Sequence, residues 1–267
     1  MAPSAFSSGF LAWLRRKSGQ ASSPPLASPA PSSNDSSSHY FADTLPNQRE
    51  TQHVDRDKLN DDLQYRVAWA QLFLGFTKED GQVLNAALPL LNPIVSDITN
   101  GVYAHLFRWD YTKAPFLKRN VGFEGPLADS LEKLMLDHPQ ILFRKRFLNT
   151  YLRKVFDADY EDPATWVYMD RVGMMHTGRP GFKHRENKTP LHVDLMACTL
   201  LLGWVQDVVI TAVFTIKEKD LSQKDRMAVL RAFNKVVAIQ TDLFQRHYIR
   251  DDEEAAFNLA AQRFQDS

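Results

Sequence analysis

The residues best suited to chemistry in this chain are its histidines, and their spacing limits what they can do. His39, His53, His105, His138, His176, His184, His192 and His247 are scattered, with no pair four residues apart. Two histidines one helical turn apart would make a metal clamp, so that kind of site has no support. A site using several of these histidines would need convergence from distant segments. The single cysteine, Cys198, excludes both a disulfide within the chain and a zinc site built on cysteines. No GxSxG, HExxH, P-loop or GxGxxG pattern occurs. The common hydrolase and nucleotide chemistries therefore find no support either.

One histidine sits in a more informative setting. In the segment TWVYMDRVGMMHTGRPG, Trp166, Met169, Gly173 and His176 fall at i, i+3, i+7 and i+10, along one helical face. One neutral imidazole near a helix end can hold a haem iron axially, provided an apolar slot receives the porphyrin. Gly173 costs about 0.5–1 kcal/mol relative to alanine inside a helix. Close approach of a flat macrocycle to the backbone would account for that cost. On periodicity alone, a core histidine with a satisfied hydrogen bond is the simpler reading of His176, and iron ligation is the alternative. By the same standard Phe147 reads as core, and Tyr103 as a half-buried tyrosine bonded to a neighbouring carbonyl.

The elements that must position these residues are helices. Apolar residues recur with helical spacing from residue 61 to residue 250, and no stretch alternates with period two for long enough to argue a sheet. Residues 63–76 form a first apolar helix. Thr77, with Asp80 three residues on, caps a second. Asn92 followed by Pro93 reads as another helix start, with Val95, Ile98, Val102 and Leu106 as its stripe. Residues 140–156 form a strong helix. Asp162-Pro163 opens the helix that carries His176, and Gly178 with Pro180 closes it. Thr189-Pro190 opens a long apolar helix, and Ser222 caps the last one. The expectation is an all-α domain of seven or eight helices. Roughly 190 residues are ample for a large core. Residues 195–214, LMACTLLLGWVQDVVITAVF, are long enough to cross a bilayer. Asp207 inside them would cost about 2.5–3.5 kcal/mol there, which favours a buried core helix of a bundle.

Outside this domain the composition changes. Residues 1–60 read as a disordered tail, because SSPPLASPAPSSNDSSS cannot bury enough apolar surface to offset its ordering entropy. Ahead of it, Phe6, Phe10, Trp13 and Leu14 share a helical face, and Arg15, Arg16 and Lys17 follow. This acid-free start suits a mitochondrial transit peptide, a membrane-surface helix or an unstructured tail alike. The lone cysteine suits a reducing, intracellular location, with the cytoplasm as the default. Lys+Arg and Asp+Glu both number 32, so there is no basic excess to suggest a nucleic-acid partner. Residues 251–267 are read as a C-terminal extension too short for an output domain.

Four segments in order carry a resemblance: FTKED, VYAHLF, FRKRF and DRVGMMH. Together they resemble the protoglobin family, the globin domain shared with globin-coupled sensors, over residues 63–250. The resemblance implies a globin-like helical fold of protoglobin type in stand-alone form. It implies haem b as cofactor and a diatomic gas, O2, CO or NO, as ligand, for sensing, storage or detoxification rather than catalysis. His176 matches the proximal iron ligand. Val172 and Gly173 match the proximal wall, Tyr103 the distal hydrogen-bond donor, Phe147 a distal aromatic that shapes gas access, and Phe116 the phenylalanine that packs on the haem. Any NO- or peroxide-consuming activity would need an external reductase. The resemblance also implies pairing of two copies through the last two long helices, and an unidentified signalling partner. The long segment between Phe116 and Phe147 departs from the family pattern, with a short extra helix expected around residues 127–136. The rival reading is a globin-fold interaction module that has lost haem.

Overall fold

In a computed structural model, residues 52–120, 122–179 and 192–249 are described. The low-complexity segment with its amphipathic start, the Thr189-Pro190 helix start and the C-terminal extension lie outside the described residues. The chain divides by its contacts into Met1–Asp61 and Asp62–Ser267. In the first unit, α1 (Arg56–Asp61) is a short exposed helix.

The second unit is helical throughout its regular structure, and side chains at the helix starts explain where each helix begins. The Asp62 carboxylate accepts from the N–H groups of Gln64 and Tyr65 at 2.9 and 3.1 Å and opens α2 (Leu63–Leu74). Gly75 ends α2 at φ 61°, the left-handed region that glycine enters without strain. Asp80 accepts from the Thr77 N–H at 2.8 Å at the start of α3 (Lys78–Leu106). A short α4 (Asp110–Lys113) and a 3-10 turn (Ala114–Leu117) follow. Then come α5 (Pro139–Asp157), α6 (Pro163–His176), α7 (Leu195–Thr215) and α8 (Gln223–Gln245). Asp162 accepts from Ala164 N–H at 2.9 Å and Pro163 occupies the first turn of α6. Ser222 accepts from Asp225 N–H at 3.3 Å at the start of α8. These orphan helix-start donors are therefore satisfied by residues the sequence places there.

Three sequence expectations are corrected. Asn92-Pro93 does not start a helix, because α3 runs unbroken through Pro89 and Pro93. Its buried stripe, Leu84, Ala87, Leu91, Val95, Ile98 and Val102, continues across both prolines. Burial of that stripe outweighs the roughly 3 kcal/mol each proline costs in a helix interior. Residues 127–136 form turns, not a helix. Leu134 is buried there, while Leu127, Met135 and Leu136 are exposed. Finally, α7 is a core helix on one face only. Cys198, Val205, Val209, Ala212 and Val213 are buried, whereas Met196, Leu200, Ile210 and Phe214 are exposed.

The central elements are α3 and α8. α5 packs on α3, α6 packs on α8, and α7 packs on both α3 and α8. The α6–α8 crossing is unusually close. A Cβ on Gly173 would lie 2.8 Å from the Leu243 carbonyl oxygen and 3.2 Å from the Phe244 Cα. The glycine thus makes room for the backbone of α8, which corrects the reading of Gly173 as space for a flat macrocycle. Polar contacts flank the crossing. Gln240 Nε2 donates to the Met169 carbonyl at 3.2 Å. The Asp170 carboxylate accepts from Arg246 at 2.9 Å and pairs with His247 Nε2 at 2.8 Å. Burial by itself would raise the Asp170 carboxyl, but His247 and Arg246 hold it below the usual carboxylate range.

Replacing Gly173 with alanine is expected to destabilise the fold by about 2–4 kcal/mol, since backbone atoms on both sides must move. Chemical denaturation of Gly173→Ala measures this. A midpoint equal to that of the parent would show that the crossing tolerates a side chain.

Candidate functional site

His176 is the last residue of α6, and its imidazole is partly buried. Its Nδ1 lies 2.7 Å from the Val172 carbonyl oxygen, one turn back. A carbonyl only accepts, so Nδ1 carries the proton in this contact, and in the neutral ring the lone pair is then on Nε2. That is the tautomer a histidine needs to ligate a metal through Nε2, with the second nitrogen held by a backbone acceptor. The ring also packs 5.1 Å from the Phe244 ring of α8. Beyond His176, its carbonyl accepts from Val193 N–H at 2.9 Å, and Thr177 bridges His192. The end of α6 is thereby tied to the approach to α7.

The helices α5 and α6 make little direct contact, because each packs on a different neighbour. They meet near one end. Tyr151 lies 6.3 Å from Tyr168, and Lys154 Nζ lies 4.4 Å over the Tyr168 ring. Tyr151 donates to Gln240 Oε1 at 2.6 Å, which ties this closed end to α8. From it, Phe147 lies one turn back along α5, roughly 6 Å, and His176 eight residues along α6, roughly 12 Å, at 1.5 Å per residue. Phe147 on α5 and Val172 and His176 on α6 thus both lie beyond this contact, away from the short connection between the two helices.

Phe147 is 57% exposed, which corrects its reading as a core residue. It packs edge-on to Phe143 at 5.0 Å, and Phe143 lies 5.6 Å from Phe123. Tyr103 is buried in a second small cluster with Leu134 and Ile141, and its ring lies 5.5 Å from that of Phe116. Burial drives its phenol well above the ordinary tyrosine value, with Arg144 pulling it partly back. Among the described residues, the Tyr103 hydroxyl makes no hydrogen bond, so it does not bond a neighbouring carbonyl as a buried tyrosine usually would. His105 points elsewhere, stacked on Trp204 at 4.5 Å. This fits the rotation of about 200° between residues two apart on a helix.

The structure thus brings Tyr103 together with Phe116, and His176 together with Val172. Phe147 belongs to a third group, and among the described residues no direct hydrogen bond or ring contact is seen between His176 and either Tyr103 or Phe147. Leu148, next to Phe147 in sequence, packs against both the main core and the Tyr103 cluster. Sequence reasoning missed Phe244, which reads as one more core residue of α8. It also missed Gln140 and Arg144, polar residues buried on α5. A cleft of about 440 Å3 among Gln64, Gln71, Phe76, Asn85, Tyr160 and Trp166 lies at the other end of α6 from His176. It is not part of this site.

The donor set fits a haem. His176 presents the correct tautomer, and a large exposed aromatic, Phe147, stands on the neighbouring helix α5. Among the described residues, no cluster of three or more His, Cys, Asp or Glu could hold a bare metal ion.

The comparisons with known proteins agree with this architecture. The globin domain of the Geobacter sulfurreducens globin-coupled sensor superposes with a TM-score of 0.50 at 17% identity, covering 68% of this chain and 97% of that domain. At that identity the likeness speaks for the all-helical, globin-like fold alone. No curated protein matches the sequence. The protoglobin family model matches residues 63–254, from the start of α2 past the end of α8. Because that match spans most of the chain and coincides with the helical unit that carries His176, the chain belongs to the protoglobin family.

Proposed function

We propose that this chain binds haem b through His176 Nε2 and reversibly takes up a diatomic gas, O2, CO or NO, on the opposite side of the iron. The observation that carries the reading is the His176 Nδ1–H bond to the Val172 carbonyl at the end of α6. When bound, haem would supply the iron on which the gas binds. The chain's own residues would do the rest. Val172 fixes the tautomer and orientation of His176, and a backbone-held imidazole is a stronger ligand. Val172, Phe147 and Phe116 supply apolar surface that keeps water away from the iron. The Tyr103 hydroxyl, which donates to no described residue, is the natural donor to a polarised gas ligand. Gly173 serves this site indirectly, by letting α6 lie against α8. Gas binding suits sensing, storage or detoxification, and turnover of NO or peroxide would draw electrons from a separate reductase.

Two copies pair through α7 and α8 in this proposal. What supports it is the outer face of α7, where Met196, Leu200, Gly203, Asp207, Ile210 and Phe214 are all exposed. Their spacing of 4, 3, 4, 3 and 4 is that of a helix seam that packs against another helix. Phe214→Glu together with Leu200→Glu should shift light scattering from a dimer to a monomer. A parent protein that is monomeric at high concentration would remove the proposal.

Absorption spectroscopy tests the haem reading. The purified protein reconstituted with haem should show a Soret band that shifts on reduction and again on CO addition. Absence of that band would favour the haemless interaction module. In the loaded protein, Tyr103→Phe should speed O2 dissociation by roughly 10- to 150-fold, the range for losing one hydrogen bond to a charged or strongly polar partner. An unaltered rate would mean that Tyr103 does not meet the gas.

A further inference from the structure

The backbone between α4 and α5 is held by buried polar side chains, an arrangement with no counterpart in the sequence reading. Gln140, in the first turn of α5, is fully buried. Its Nε2 donates to the carbonyls of Phe116 at 2.6 Å and Lys118 at 3.0 Å. Its Oε1 accepts from Asn120 N–H at 3.4 Å. One turn on, Arg144 is 8% exposed and donates to the same Lys118 carbonyl at 2.7 Å. The Arg144 guanidinium also lies 5.1 Å from the centre of the Phe116 ring. Further along, Arg119 donates to the carbonyls of Phe123 and Gly125 at 2.8 and 2.9 Å.

Buried polar side chains carry a desolvation cost unless their bonds are made. An apolar residue at position 140 would be the simpler choice for a helix whose neighbours Ile141 and Leu148 pack inward. The clamped backbone is special because of what it carries. Phe116 lies against Tyr103 at 5.5 Å, and Phe123 reaches Phe147 through Phe143. Both distal candidates are thus set by the same strap.

We propose that Gln140 and Arg144 are positioning residues for the gas site: they fix the Phe116–Asn120 backbone so that the Phe116 ring holds the Tyr103 phenol in its donating orientation. This rests on the gas-binding reading above. Gln140 touches neither haem nor gas in this account and acts through Phe116 and Tyr103. Arg144 adds a positive charge beside the phenol, which makes that hydroxyl a stronger donor.

The test uses the full chain labelled with fluorotyrosine, the Tyr103 fluorine resonance being assigned by its loss in Tyr103→Phe. Gln140→Met keeps the side-chain length and removes all three bonds. It should move the Tyr103 resonance and, in the haem-loaded protein, speed O2 dissociation about 5- to 10-fold, the effect of weakening one hydrogen bond. That acceleration should vanish in the Tyr103→Phe background, because Tyr103 is the intermediary. A role in stability alone would lower the unfolding midpoint and leave the dissociation rate unchanged. Arg144→Lys, which keeps the charge but loses the planar fork, covers the case in which Gln140→Met does not fold, and should move the same resonance. An unmoved Tyr103 resonance, or equal acceleration with and without Tyr103, would overturn the proposal. A parent protein that takes up no haem would defeat the gas-binding reading, and the fluorine shift would then decide by itself whether the clamp holds Tyr103.

Discussion

Where α6 crosses α8, the Cα of Gly173 lies so near the Leu243 carbonyl that no side chain fits between them. His176 lies three residues further along α6, and its ring rests against Phe244, the residue after Leu243. The crossing therefore sets both the height of the imidazole and one wall of its surroundings. A helix held this closely cannot slide to follow a displaced ligand without breaking the Gln240 and Asp170 contacts that flank it. Gln240 and Asp170 are buried, and each is satisfied by a partner across the crossing, on α6 for Gln240 and just past the end of α8 for Asp170, which fixes the register of the crossing. The Val172 carbonyl then performs the last alignment, turning the imidazole into one tautomer.

The neighbouring helices differ in what they pack on: α5 is committed to α3 and α6 to α8, and the two meet where Tyr151, Lys154 and Tyr168 come together. Phe147, 57% exposed on α5, is apolar surface left open among the described residues. In the haem-binding proposal, a flat, mostly apolar group with one central electrophile would cover such surface and engage the histidine. In the pairing proposal, the exposed face of α7, with its helical-seam spacing, is where a helix of a second copy would pack.

Much of the architecture could be read in the sequence because it is written in local signals. Asp62, Thr77, Asp162 and Ser222 stand at helix starts, and Gly75 and Gly178 stand where the backbone turns left-handed. Burial was harder to read. The stripe of α3 carries the helix through two prolines, and a local rule cannot weigh that. Gly173 was correctly marked as a close-approach position, but the approaching object, the α8 backbone, is 70 residues away in sequence. Phe147 and the outer residues of α7 are apolar and still exposed, because periodicity reports a face without saying what covers it. Gln140 and Arg144 looked like ordinary polar residues of an amphipathic helix, since their partners are backbone carbonyls that no sequence pattern reveals.

The central claim is that His176 holds the iron. Resonance Raman spectroscopy of the haem-loaded, reduced protein tests it most directly, through the iron–imidazole stretching band. The account predicts that this band is present in the parent protein, absent in His176→Gly, and restored to that variant by added imidazole. A band that persists unchanged in His176→Gly would place the ligand on another histidine and contradict the account.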